Sequence, residues 1–271
     1  MKNLFLFLFL VLIASKFLVA QDSIAWNKEF SYETGRDIVW TTDAYNNIYI
    51  ADKDLIVKID SKGKKLFEQS VKKYGGITKI DARNPMKILI FSEQQQSVFY
   101  LDNTLTKQEN DIDLGQNFDL SYVTHVSASN QVDKIWTFDQ DNSTINLWSQ
   151  NKSQTIQIQN VAGLTGMKNI FQFFEQNDKL FVADSLKGVF IFDIYGTLIQ
   201  SLEYPNLDWI DVSSEYLYVM RNGSFEIVNL STLNKQVLTL PVSNIQKFSV
   251  NQNKVYFMSE NQLIKYSIEI F

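Results

Sequence analysis

The side chains able to do chemistry in this 271-residue chain are few and far apart. His125 is the single histidine, and it sits in an alternating segment, Tyr122-Val123-Thr124-His125-Val126. A catalytic triad or an imidazole metal site would have to use it. The alternation around it favours a polar residue on a strand surface instead. There is no cysteine, which removes thiolate nucleophiles and most zinc ligand sets. Two carboxylate groupings stand out, Asp111-Ile112-Asp113 and Asp139-Gln140-Asp141-Asn142. The second has the outline of a calcium loop but lacks the turn glycine and the distal bidentate glutamate. Asp52, Asp139 and Asp184 recur at one position of a repeated strand. They form the one set that could converge on an axis as metal ligands of a lactonase-like hydrolase. An aspartate that ends a strand more simply caps the turn after it. The expectation is therefore no catalytic residue, no cofactor and no metal ligand.

The elements that would have to position such groups repeat along the chain. The segments are NIYIAD (47–52), KILIFS (87–92), KIWTFD (134–139), KLFVAD (179–184), YLYVMR (216–221) and KVYFMS (254–259). Their third residues are Tyr49, Leu89, Trp136, Phe181, Tyr218 and Tyr256, spaced 40, 47, 45, 37 and 38 apart. A period near 40 filled by short apolar runs is the mark of a β-propeller blade. A second apolar run follows each copy, at 55–60, 97–102, 144–148, 188–193, 225–229 and 263–267. A turn and a more polar third strand come next, at 65–70, 109–114, 155–159, 198–202 and 236–240, and one further short strand precedes the second to sixth copies, at 77–81, 123–126, 170–174, 209–212 and 245–250. Each unit thus has four strands: apolar inner ones covered on both faces, and a mixed outer edge.

The sixth unit runs out at Phe271 after its third strand, whereas residues 25–32 (AWNKEFSY) form a strand-like segment with no blade of their own. They are expected to supply the missing outer strand by pairing along 263–267. The expected fold is all-β: a six-bladed β-propeller closed by the N-terminal strand, one domain over residues 21–271. A two-sheet sandwich is the alternative, but it has no reason to repeat one motif six times.

The chain opens with Lys2, an apolar run over residues 4–14, Lys16, and Ala20 before Gln21. That pattern predicts a signal peptide over residues 1–20, too short for a membrane span. The mature chain would be exported, soluble and not itself membrane-spanning. Its removal leaves 23 basic and 30 acidic residues, a net charge of −7. A nucleic-acid partner is excluded, because a phosphate backbone requires a basic stripe.

The second unit contains Lys79-Ile80-Asp81-Ala82-Arg83-Asn84-Pro85-Met86-Lys87, then Val98-Phe99-Tyr100-Leu101-Asp102-Asn103-Thr104-Leu105. The Asp-x-x-Asn-Pro stretch and the Leu-Asp-Asn-x-Leu hairpin resemble a family of small exported β-propellers from bacteria with the type IX secretion system. Residues 135–139 and 188–193 resemble that family's pattern as well. The resemblance implies a non-enzymatic periplasmic interaction module whose partner is an envelope protein complex, with plugging of the outer-membrane translocon as one such role. The alternative is a secreted, metal-dependent hydrolase or ligand binder that uses the central channel.

Overall fold

The computed structural model describes residues 25–268 apart from Lys53, Gln150 and Lys152, with only the backbone for Glu109 and Asn110. The signal peptide expected over residues 1–20 lies outside the described residues. Six four-stranded antiparallel sheets follow one another along the chain. The first contains β2 (Val39–Thr42), β3 (Ile48–Asp52), β4 (Leu55–Ile59) and β5 (Lys65–Ser70). The second contains β6 (Lys79–Asp81), β7 (Ile88–Ser92), β8 (Ser97–Leu101) and β9 (Lys107–Asp113). The third has β10 (Val123–Ala128), β11 (Lys134–Asp139), β12 (Thr144–Ser149) and β13 (Gln154–Ile158). The fourth has β14 (Ile170–Gln176), β15 (Lys179–Asp184), β16 (Gly188–Asp193) and β17 (Leu198–Glu203). The fifth has β18 (Leu207–Ser213), β19 (Tyr216–Arg221), β20 (Ser224–Asn229) and β21 (Lys235–Leu238).

The sixth sheet contains β22 (Ile245–Asn251), β23 (Lys254–Ser259) and β24 (Gln262–Ile268), and its fourth strand is β1 (Trp26–Glu33) from the other end of the described chain. β1 runs antiparallel to β24, from Trp26 opposite Ile268 to Glu33 opposite Gln262, with a bulge between Lys28 and Phe30. The first strands of the six sheets touch in ring order, β2, β6, β10, β14, β18, β22 and back to β2. The result is a six-bladed propeller around an axial channel.

The sheet pattern follows from burial on both faces of each blade. β7, β11 and β15 are buried at almost every residue, because neighbouring blades cover both sides, whereas the outer strands β5 and β17 alternate or face water. Core clusters accordingly span pairs of blades: Tyr49 and Ile56 of the first blade pack with Ile88, Ile90 and Phe99 of the second. The hairpins between third and fourth strands in blades one, two and four are built by one device. Asp60, Asp102 and Asp193 each accept from the backbone N–H groups two and four residues on. Gly63, Leu105 and Gly196 then take positive φ. The Leu-Asp-Asn-x-Leu hairpin is therefore turn chemistry.

Element ends differ from expectation in one instructive place. The outer strand of the second blade stops at Asp113, and Leu114 begins a short helix, α1 (Leu114–Phe118). The Asp113 carboxylate caps that helix by accepting from Gln116 N at 2.8 Å. A second short helix, α2 (Val161–Thr165), occupies the corresponding crossover after the third blade.

Candidate functional site: axial channel and rim

The propeller has two distinct faces. Turns between first and second strands, and between third and fourth, lie on one face, here the hairpin face. The loops joining one blade to the next lie on the other, the crossover face.

The inner edge of each first strand lacks a sheet neighbour, so its backbone groups need other partners. At five junctions a side chain of one blade reaches the inner strand of the next. Asp81 accepts from Ala128 N at 3.0 Å. Ser127 Oγ accepts from Glu175 N at 2.9 Å. Gln172 accepts from Ile210 N at 2.7 Å and donates to Ile210 O at 2.8 Å. Asp211 accepts from Val250 N at 2.7 Å, and the hydroxyls of Ser249 and Thr42 meet at 3.0 Å. The polar residues around the axis thus join blade to blade.

Among these groups lies a charged set that the pattern of repeated aspartates did not reveal. Lys79 of the second blade interacts with Asp211 and Lys247 of the fifth and sixth, which places all three on the axis. Arg83 likewise interacts with Glu175 and Asp211 while its guanidinium binds Asp81. Burial pushes the Lys79 ammonium down to about 8, with Arg83 and Lys247 adding repulsion. Burial lowers Lys247 as well, and its Nζ stands 5.3 Å from the Trp209 ring centroid. Burial raises the Asp211 carboxyl to about 6 against the hydrogen bonds from Val250, Val212 and Ser249. The visible signal in the sequence was charge inside short alternating strands: Lys79-Ile80-Asp81, Ile210-Asp211-Val212 and Gln246-Lys247-Phe248.

Asp211 carries a pH prediction. Its folded-state carboxyl holds a proton up to about pH 6, whereas an unfolded aspartate releases it near 3.9. The folded protein therefore binds more protons between these values, and this group's contribution to stability falls as pH rises from about 4 to about 6. Asp211→Asn keeps an acceptor for Val250 N and removes the titration. Relative to wild type, the variant is expected to gain up to about 3 kcal/mol between pH 4 and pH 7. Urea unfolding of both proteins across that range checks it; a difference independent of pH rejects the assignment.

The residues singled out in the sequence occupy other places. His125 lies on β10 beside the channel, its Nδ1 2.9 Å from the Thr124 hydroxyl and its ring between Phe138 and Phe173. Burial, aided by Lys79, pushes its pKa down to about 4, so it is neutral at pH 7. Asp139 and Asp184 are fully buried in their own loop junctions. Asp139 accepts from the N–H groups of Ser121, Tyr122 and Asn142. Asp184 accepts from those of Lys168, Asn169, Leu186 and Lys187. Burial alone would raise both carboxyls, but these donors outweigh it and hold them below the usual carboxylate range. Each fastens the loop entering its blade to the turn after its second strand. Asp52 is exposed, as is Asp141. Asp111 meets Tyr74 Oη at 2.9 Å and Lys107 at 2.7 Å on the outside of the second blade. The structure does not bring Asp52, Asp139 and Asp184 together, and among the described residues no three His, Cys, Asp or Glu side chains form a metal-binding group.

The hairpin face carries a second feature. The turns between first and second strands are long in blades one to three and short in blades four to six. Each long turn exposes one apolar side chain: Tyr45 (72% exposed), Met86 (60%) and Val132 (84%). These turns are tied to their neighbours by Lys87–Asp133 at 2.9 Å, Asn130–Asp178 at 3.1 Å and Asn251–Asp43 O at 2.7 Å. The Asn84-Pro85 turn belongs to this rim, where Asn84 accepts from Met86 N at 3.0 Å and so sets the position of Met86. The exposed side chains therefore stand on a braced surface.

Among the described residues no helix is long and apolar enough to cross a membrane. No protein-family model and no curated protein sequence matches the chain. Solved structures share its fold. The WD40 domain of Neurospora crassa Pan2 superposes with a TM-score of 0.63 at 10% identity, covering 92% of this chain and 97% of that one. The β-propeller domain of Cps50 (Swd1) from Myceliophteria thermophila gives 0.64 at 9% identity, over 90% of this chain and 100% of that one. A catalytically inactive virginiamycin B lyase from Staphylococcus aureus with quinupristin gives 0.64 at 10% identity, over 91% and 100%. At such identity the likeness is one of fold, shared by a WD40 domain and a lyase alike: this chain is a six-bladed β-propeller.

Proposed function

We propose that the protein is a non-enzymatic, periplasmic interaction module that binds an envelope complex, the outer-membrane translocon of the type IX secretion system, through its hairpin face. The observation that carries the reading is the row of Tyr45, Met86 and Val132 on three consecutive turns, each braced against a neighbouring blade. Neighbouring positions on these turns are Asn46, Asn47, Asn84, Asn130 and Gln131. A rigid aromatic anchor among adaptable amides is the composition of a recognition surface. The resemblance of the Asp81–Pro85 stretch and the 101–105 hairpin to exported type IX propellers supports the choice of partner.

The triple variant Tyr45→Ser/Met86→Ser/Val132→Ser tests it. Because all three side chains face water, its melting temperature should stay within about 2 °C of wild type. Recovery of translocon components with the tagged protein from envelope extracts should fall at least about tenfold, the loss expected when central apolar anchors are truncated. Undiminished recovery with the triple variant, or no translocon component recovered with wild type, rejects the reading.

A further inference from the structure

The axial channel shows an imbalance between donors and acceptors. Its carboxylates are engaged by the protein itself. Asp81 accepts from Arg83 and Ala128 N, Glu175 from Ser129 Oγ, Asn130 N and Trp136 Nε1, and Asp211 from Val250 N and Val212 N. Its lysines are not. Neither Lys79 nor Lys247 has a hydrogen bond or an ion pair among the described residues, and Arg83 Nη1 is buried with no acceptor. An ammonium has three donors and no acceptor, and withdrawing it from bulk water without a partner is costly. Lys79 and Lys247 reach the axis from the second and sixth blades, with the first blade between them, and repel one another. Both are partly exposed, so a solute in the channel can reach them. Lys247 also borders open space. A depression of about 620 Å³ on the crossover face is lined by Lys247 and Trp40 from two inner strands, with Arg36 balanced by Asp37 and Glu260 at its edge.

We infer that the crossover half of the axial channel binds a small anion or an anionic group, carboxylate or phosphate, between the Lys79 and Lys247 ammonium groups. Arg83 below adds positive potential without contacting the ligand directly. Two charge-assisted bonds replace the absent partners, and the bound charge relieves the repulsion between the lysines. Asp211, His125 and the Trp209 ring are the other groups facing this region. The inference is independent of the rim: the site lies inside the ring and opens on the opposite face.

The test uses the mature chain from Gln21 at pH 7, titrated separately with inorganic phosphate and with succinate, against potassium chloride at matched ionic strength. Intrinsic tryptophan fluorescence is expected to change saturably, since Trp209 lies against Lys247. Lys79→Gln/Lys247→Gln should weaken apparent affinity at least about tenfold, the equivalent of losing one charged hydrogen bond. Lys187→Gln, an exposed turn lysine outside the channel, should leave it unchanged, as should the rim triple variant. Saturation with only one of the two probes supports the site and narrows its ligand class. A response that does not saturate, that chloride reproduces, or that survives the double substitution overturns the inference. Should the double variant not fold, amide chemical shifts of wild type with phosphate decide: changes centred on residues 79, 209 and 247 support the site, and changes elsewhere overturn it.

Discussion

A chain that begins at Thr34 instead of Gln21 is expected to be poorly soluble or to lose most of its stability. The deletion removes β1, and with it the backbone ladder along β24. It also removes Trp26, which packs against Phe225, Phe257 and Tyr266 and donates Nε1–H to Thr239 O at 2.8 Å. A further loss is electrostatic. Glu29 holds Lys254 and meets the nearly buried Lys265 at 2.9 Å. Without it, and with the Phe30 ring gone as well, Lys265 keeps only Ser61 O and the face of the Tyr256 ring. Stranding a buried charge costs about 3–5 kcal/mol by itself, a large share of the 5–15 kcal/mol that separates a typical domain from its unfolded state. The bared edge of β24 also becomes a template for aggregation. Hydrogen exchange should lose protection first at residues 262–268 and last in the blade over 168–202. Equal stability of the two chains, or first loss in the middle blades, would show that the N-terminal strand does not close the ring.

Trp136→Ala should lower stability by roughly 3–5 kcal/mol, from lost burial and the cavity left behind. Trp136 is fully buried and packs with Phe173, Leu180 and Val182 of the next blade. Its indole N–H also donates to Glu175, itself buried. The substitution thus takes a donor from a carboxylate that Ser129 and Asn130 must then satisfy alone. In a domain of this size the melting temperature should fall by about 6–20 °C. Trp136→Phe, which keeps most of the volume and none of the donor, should fall between the two and so separates packing from the polar term. An unchanged melting point in Trp136→Ala would contradict the packing described here.

The sequence by itself determined the architecture. Six copies of an apolar strand at a period near 40, with polar turns between, leave little but a propeller, because strand alternation and turn chemistry are local and short-range. Trp136 at the repeat's large apolar position implied its burial for the same reason. The surroundings of the charged groups were not readable this way. Asp139 and Asp184 stand at equivalent positions, and sequence spacing cannot say whether a carboxylate turns toward an axis or toward its own backbone. The fold turned them inward, onto the N–H groups of Ser121 and Tyr122, and of Lys168 and Asn169. Conversely, Lys79, Asp211 and Lys247 are about 130 and 40 residues apart in the chain, in short strands of the same alternating kind. Only closing the ring brings opposite blades to a common axis, where burial and mutual repulsion give those charges their properties. The rim is tertiary in the same sense: Tyr45, Met86 and Val132 belong to separate turns and become one surface because consecutive blades stand side by side.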